Sequence, residues 1–126
     1  MYLVGTAVDV RAQHVMPGAE GPEGELHAHD YRIEVVVERH ELDDRGMVCD
    51  LDVLDAALAG AADHVRDVDL EVIRPPEAEA VTVEVFARWA HGFVANAIRQ
   101  SGADDLTVRV WESPVAYGGY RAPVAD

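Results

Sequence analysis

Three histidines are spaced so that their rings can meet. His27 and His29 flank a single alanine. In an extended chain, with a rise of about 3.3 Å per residue, both rings leave the same side of one strand, roughly 6.5 Å apart at the backbone. Two ring nitrogens at that spacing can converge on one ion. His14 ends an earlier alternating stretch, on its apolar parity, and a Gly- and Pro-rich loop separates it from the pair. Zinc takes nitrogen or oxygen donors at about 2.0–2.1 Å, and catalytic zinc sites commonly combine three protein ligands with an open fourth position. His14, His27 and His29 are therefore candidate Zn2+ ligands. The competing reading is three unrelated histidines on a polar rim.

Those rings need two strands to carry them. Residues 2–14 alternate, with Val8, Val10 and Ala12 on one side and Asp9, Arg11 and Gln13 on the other. PGAEGPEGE at 17–25 has no period and reads as an exposed loop. From residue 27, HAHDYRIEVVVER puts His27, His29, Tyr31, Ile33, Val35 and Val37 on one face and Asp30, Arg32, Glu34 and Glu38 on the other. This predicts a half-buried strand. ELDDRG then supplies turn chemistry before a short apolar return at 47–49, which reads as a hairpin.

Beyond Asp50 the period becomes helical. Leu51, Leu54, Leu58, Ala61 and Val65 share a stripe, predicting a helix over about 50–66 with Asp50 and Asp52 in its positive first turn. After Pro75-Pro76, the spacing of Phe86, Trp89, Phe93 and Ala97 predicts a second helix over about 79–100, stopped by Ser101-Gly102. LTVRVWE and VAYGGYRA predict two closing strands. The β-β-α-α-β-β order predicts an α+β fold: one antiparallel sheet with both helices on one face, in a single domain over 1–126.

Composition narrows the function classes. With 24 acidic against 10 basic residues the formal charge is −14, which argues against nucleic-acid binding, since that affinity comes largely from Lys and Arg displacing counterions. An anionic small substrate would need a local basic pocket. The one cysteine, Cys49, allows no internal disulfide and no cysteine-based metal cluster, and reads as a buried structural thiol. No apolar run approaches the roughly 18–20 residues of a membrane span, and MYLVGTAVDV lacks a leader pattern. The expectation is a soluble, cytoplasmic protein with no membrane partner. His40 and His91 have no motif around them and read as surface residues.

RAQHVMPG, LHAHDYRIEV, LDDRGMVCDLDVL and VRVWESP, in that order, resemble the signature blocks of the 6-pyruvoyl- and 6-carboxy-tetrahydropterin synthase family across nearly the whole chain. The resemblance implies a tunnelling fold (T-fold) whose sheets join into trimeric barrels that pair as homohexamers, with pockets between subunits. It implies zinc on His14, His27 and His29, and a lyase or isomerase acting on dihydroneopterin triphosphate or a related GTP-derived pterin. Glu112 matches the glutamate that accepts hydrogen bonds from the pterin amino group and ring N–H. A carboxylate facing two parallel donors is a strong directional contact, and its parity with Leu106, Val108 and Val110 aims it at the core side, where an unpaired charge is costly. Otherwise Glu112 is a solvated strand-end residue. Thr82 resembles the threonine that opens the family's second helix beside the pterin, and equally fits a plain N-cap.

The pattern breaks at the nucleophile. Family members that form 6-pyruvoyl- or 6-carboxy-tetrahydropterin carry a cysteine four residues before the HxH pair, and Glu23 stands there. Some family variants use a glutamate near this point to cleave the side chain to a 6-hydroxymethyl-dihydropterin. A carboxylate beside a Lewis-acidic metal suits a general base. Glu20 and Glu25 compete for that place, as does a merely acidic loop. Asp63-His64 resembles the family's Asp-His proton relay, although ungapped counting from Asp50 puts Arg66-Asp67 there. His64 is one turn early on roughly the same face; the alternative is a half-exposed surface histidine. Besides the enzyme, two rivals stand: a non-catalytic or regulatory pterin-binding module, and an assembly unit without metal.

Overall fold

The computed structural model describes residues 1–125. Two long strands, β1 (Tyr2–His14) and β2 (His27–Arg39), pair antiparallel along their whole length, from Tyr2 opposite Arg39 to His14 opposite His27. Two shorter strands, β3 (Asp105–Trp111) and β4 (Tyr117–Pro123), complete an antiparallel sheet in the order β1-β2-β3-β4. Helix α1 (Leu51–Val65) lies over β1, and α2 (Val83–Ala97) over β3 and β4, with the helices touching each other. The period-two alternation decides which face is covered. Val10, Ala12, Tyr31, Ile33, Val35, Val37, Leu106, Val108 and Val110 are all buried against Leu54, Leu58, Val65, Phe86 and Val94 from the helices. Such packing is sensitive: truncating the fully buried Phe86 to alanine costs about 3–5 kcal/mol.

Several sequence expectations move. No strand forms at 47–49, because β2 is already flanked by β1 on one side and β3 on the other. Val48 and Cys49 instead enter the core from a turn that Asp43 organises by accepting from the N–H groups of Arg45 and Met47 at 2.9 Å each. The second helix starts at Val83 rather than near 79, since the Thr82 hydroxyl accepts from Val85 N–H at 3.2 Å and sets the boundary. It gives way after Ala97 to a 3-10 turn at Arg99–Ser101 and to Gly102 at φ 82. Its buried stripe runs through Phe86, Ala87, Ala90 and Val94, leaving Ala97 exposed, as Leu51 is on α1. Trp89 and Phe93 sit on the flank facing α1. There Gly60 admits the Phe93 ring; a Cβ at that glycine would lie 3.3 Å from Cε1.

His91 is not a surface residue. It is 6% exposed, its Nε2–H donates to the Ala122 carbonyl at 3.1 Å, and its ring meets Tyr120 edge-on at 5.1 Å. With one ring N–H satisfied, the imidazole packs there as an aromatic wedge between α2 and β4.

The other sheet face carries ion pairs: Arg32 with Asp9, Arg11 with Asp30, Arg109 with Glu34, and Arg121 with Asp105 and Glu38. Both outer strands leave edges open. On β1 the far half is closed, because Asp67 N–H donates to the Arg11 carbonyl at 2.8 Å and Gln13 N–H to the Val68 carbonyl at 2.9 Å. Residues 2–9 keep a free edge, as does β4. No helix among the described residues is long and apolar enough to cross a membrane.

Candidate metal centre and substrate cavity

Register brings the histidines together. His14 and His27 face each other at the last rung of the β1–β2 ladder, and His29 lies two residues further along β2 on the same side. One ring nitrogen from each lies within 4.8 Å of the others, and the Nε2 atoms of His27 and His29 are 2.9 Å apart. Tetrahedral zinc with bonds of about 2.0–2.1 Å separates its nitrogens by roughly 3.3 Å, within that range. The donor chemistry fits as well. His14 is 8% exposed, yet its Nε2 has no hydrogen-bond partner, an arrangement that costs free energy unless something binds it. Burial, then the neighbouring imidazoles of His27 and His29, hold the His14 pKa below its ordinary value, so the ring is neutral with a lone pair to give. His27 Nδ1–H donates to the Glu25 carbonyl at 2.7 Å, which turns its Nε2 lone pair towards the cluster.

Beside the cluster lies a small cavity of about 190 Å³ between the sheet end and the start of α2. His14, Tyr31, Thr82, Glu84, Phe86 and Glu112 are among its walls. A wider cavity of about 950 Å³ opens onto solvent past His29, Tyr31, Trp111 and Glu112. Tyr31 and Glu112 border both, but Asp9, Arg11, Asp30, Arg32 and Glu34, which make up much of the wider cavity's wall, stand on the sheet face opposite the histidines. Glu112 follows directly on β3, in a turn closed by its own N–H donating to the Ala116 carbonyl at 3.1 Å. Its side chain is exposed rather than directed into the core, so the desolvation argument for a bound partner does not hold; its case rests on its place between the cavities. Thr82 is both N-cap and cavity wall. Sequence reasoning missed Tyr31 and Glu84 as wall residues, although Tyr31 shares parity with His29. Tyr31 is 3% exposed, and burial, then Glu112 and Glu23, push its phenol well above the ordinary range, so it stays a neutral donor.

The acid–base candidates divide. Glu23, in a 3-10 turn at Gly21–Gly24, brings Oε2 to 3.6 Å from His27 Nε2, whereas neither Glu20 nor Glu25 pairs with a histidine through its carboxylate. That turn is anchored by Met16 N–H donating to the Glu23 carbonyl at 2.9 Å. Asp63 and His64 border neither cavity. Asp63 pairs with Arg66 at 3.1 Å, and the His64 ring lies 5.5 Å from Trp89 and 6.2 Å from Phe93. Asp67 is spent locally, at φ 58 with its N–H on the edge of β1. Cys49 is buried, and burial raises its thiol pKa, as expected of a structural thiol.

Residues 5–123 match the family described as 6-pyruvoyl tetrahydropterin synthase. No curated protein matches the chain. Among solved structures, the 6-pyruvoyl tetrahydropterin synthase of Caenorhabditis elegans aligns with TM-score 0.73 at 22% identity, covering 96% of this chain and 95% of that one. That of Plasmodium vivax aligns with TM-score 0.72 at 11% identity, covering 98% and 99%. Two further forms of the P. vivax protein, each with TM-score 0.70 at 11% identity over 98% and 99%, replace a catalytic glutamate with cysteine or alanine. At these identities the structural likeness speaks for the fold: the T-fold, with its four-stranded antiparallel sheet and paired helices.

Proposed function

The chain belongs to the 6-pyruvoyl tetrahydropterin synthase family, and from that premise we propose that it is a zinc-dependent lyase. It would act on the side chain of dihydroneopterin triphosphate or a related GTP-derived pterin, with altered chemistry because Glu23 stands in place of the family cysteine. The observation that carries this reading is the meeting of three imidazoles around an unpartnered, buried His14 Nε2, with the Glu23 carboxylate 3.6 Å from one of them. His14, His27 and His29 would hold the ion. Bound there, the ion would supply Lewis acidity, lowering the proton affinity of an oxygen beside it.

The other roles fall to the chain. Glu112 accepts hydrogen bonds from the pterin amino group and ring N–H, fixing the ring at the junction of the two cavities. Thr82 and the buried face of Tyr31 bound the ring's position and keep water from it. Glu23 accepts a proton from a side-chain hydroxyl, a role supported by the catalytic glutamate of the P. vivax protein. Asp63 and His64 join a proton relay only in a neighbouring subunit's pocket, since within their own chain they border neither cavity.

That relay requires an oligomer, and the sheet offers the means. Exposed strand edges are templates for pairing with another chain, and the free stretch 2–9 of β1 is about as long as the seven residues of β4. Copies joined β1 to β4 close a barrel of three, and two such rings make the hexamer. Light scattering coupled to size exclusion tests the assembly, and a strict monomer speaks against it. For the activity, zinc is assayed by atomic absorption, and products are followed by chromatography after incubation with dihydroneopterin and with its triphosphate. About one zinc per chain and a pterin with a shortened or altered side chain are expected. Zinc-free protein, or protein that consumes neither compound, sinks the reading.

A further inference from the structure

We infer, resting on the pterin reading of the site, that Tyr31 is a further catalytic residue. Its hydroxyl donates a hydrogen bond to the ring edge that carries O4 and N5, and it stabilises the charge that gathers on N5 while the side chain reacts.

Tyr31 stands between the two groups that would hold the substrate. On β2 it follows His29 by two residues on the same face, about 6.6 Å further along at a rise of about 3.3 Å per residue. Across the ladder Arg32 pairs with Trp111, so one position on, Tyr31 and Glu112 come side by side. Both border the small cavity that His14 also walls. A pterin with its amino group and N3–H on Glu112, and its side chain reaching the histidines, turns the edge between those points towards Tyr31. That edge carries O4 and then N5, and in a 7,8-dihydropterin both are acceptors. Besides the histidine, only Tyr31 and Thr82 among the walls of this cavity have a side-chain donor. Thr82 is tied to the first turn of α2, where its oxygen accepts from Val85 N–H.

Packing alone would be served as well by phenylalanine. Tyr31 is 3% exposed, and its ring is fixed edge-on by Phe86 at 5.3 Å and by His29 at 5.7 Å. A buried phenol normally finds a partner for its O–H. Among the described residues, two buried side-chain atoms lack both partner and solvent, His14 Nε2 and Trp111 Nε1. The Tyr31 oxygen is not one of them and makes no hydrogen bond, so it opens on the cavity that its ring borders.

The chemistry calls for a donor at N5. With Glu23 as base, the proton leaves the hydroxyl of the second side-chain carbon. That carbon becomes an aldehyde as its bond to the first carbon breaks, and the bonding pair passes through C6 to N5. The proton taken by Glu23 then returns to the first carbon. A hydroxymethyl pterin and a two-carbon aldehyde result, and no oxidant or reductant is consumed. A phenol is an O–H donor at neutral pH, and a fixed donor aimed at charge that forms only during reaction stabilises it without having to reorganise.

The test is Tyr31→Phe, which removes the oxygen and keeps the ring. On whichever of dihydroneopterin and its triphosphate the zinc-loaded protein consumes, kcat should fall about a hundredfold with KM within about threefold. Zinc content and the denaturant midpoint should not fall. The compound 6-methylpterin, which has no side chain to lose and is followed by its fluorescence, should bind both proteins with affinities within about threefold. A kcat within about threefold of the unaltered protein overturns the inference and leaves the pterin reading standing. So does a loss of rate matched by a loss of zinc or of stability, which marks a ring that only packs. A raised KM at constant kcat means that Tyr31 grips the ring equally before and during reaction, and overturns its part in the chemistry. Turnover of neither compound by the unaltered protein overturns the pterin reading and this inference together.

Discussion

The two ends of β2 are built to different standards of completion. At the Arg39 end the groups that tie the turns together are partnered. The Arg39 guanidinium donates to the Val48 and Ser101 carbonyls, Asp43 caps its turn, and Asp104 accepts from His40 N–H at 2.8 Å. At the His27 end, the buried His14 Nε2 has none, two imidazole nitrogens point at each other, and Glu112 stands at the junction of two cavities without an ion pair. Both ends close the same ladder, so strand pairing does not account for the difference. Buried polar groups in folded proteins are normally satisfied, and an end that leaves them open is one whose partners arrive from outside the chain.

The sharpest way to break that contrast is to remove a ring. His27→Ala should reduce zinc from about one per chain to near zero and abolish turnover, as read by atomic absorption and product formation; retained zinc would mean that the cluster is not the metal site. Glu23→Gln comes next: a fall in kcat of about 10²–10⁴ with zinc content unchanged. An unaltered rate would favour a pterin-binding module over an enzyme. At the far end the effects should fall on stability alone. Arg39→Ala leaves two half-buried carbonyls without their donor and should cost about 1–3 kcal/mol in denaturant unfolding, with kcat/KM untouched.

A subtler change is Gly102→Ala, which forces a side chain to φ 82 and sets a Cβ 3.1 Å from the Arg39 guanidinium. About 1–2 kcal/mol is expected, again without loss of rate. The smallest effect concerns acid. Hydrogen bonds from the N–H groups of Met47 and then Arg45 hold the Asp43 carboxyl below its ordinary 3.8. Its contribution is therefore complete above that value and fades as pH falls through the lower, folded one. Asp43→Asn should flatten the acid limb of a melting-temperature profile below about pH 4 and leave the neutral range alone.

How much of this could be read from the residues follows the range of the forces involved. The alternation at 2–14 and 27–39 reports which side of a strand is apolar, a local property, and it carried the histidines to one face before any fold was known. The family resemblance carried Glu112 and Glu23. What pattern could not convey depends on neighbours far along the chain. The 47–49 return finds no strand to pair with because β3, some sixty residues later, already occupies that side of β2. His91 is buried because Ala122 and Tyr120 of β4 receive it. The burial expected of Glu112 failed because parity does not reveal where a sheet stops being covered. Thr82 was legible as a cap but not as the reason the helix starts late, since Glu79 to Val81 suit a helix in isolation.

The complete ladder between β1 and β2 has a consequence for how the molecule finds its fold. Strands of thirteen residues with Val-rich faces offer many near-matches in pairing, and a slip by one position would turn every side chain of one strand to the opposite face. Such a slip would carry His14 away from His27 and His29. An ion that needs all three rings would bind the native alignment and no shifted one, adding its binding free energy to that alignment alone. The same atoms that equip the site would thus act as a proofreading clasp on the longest pairing in the protein.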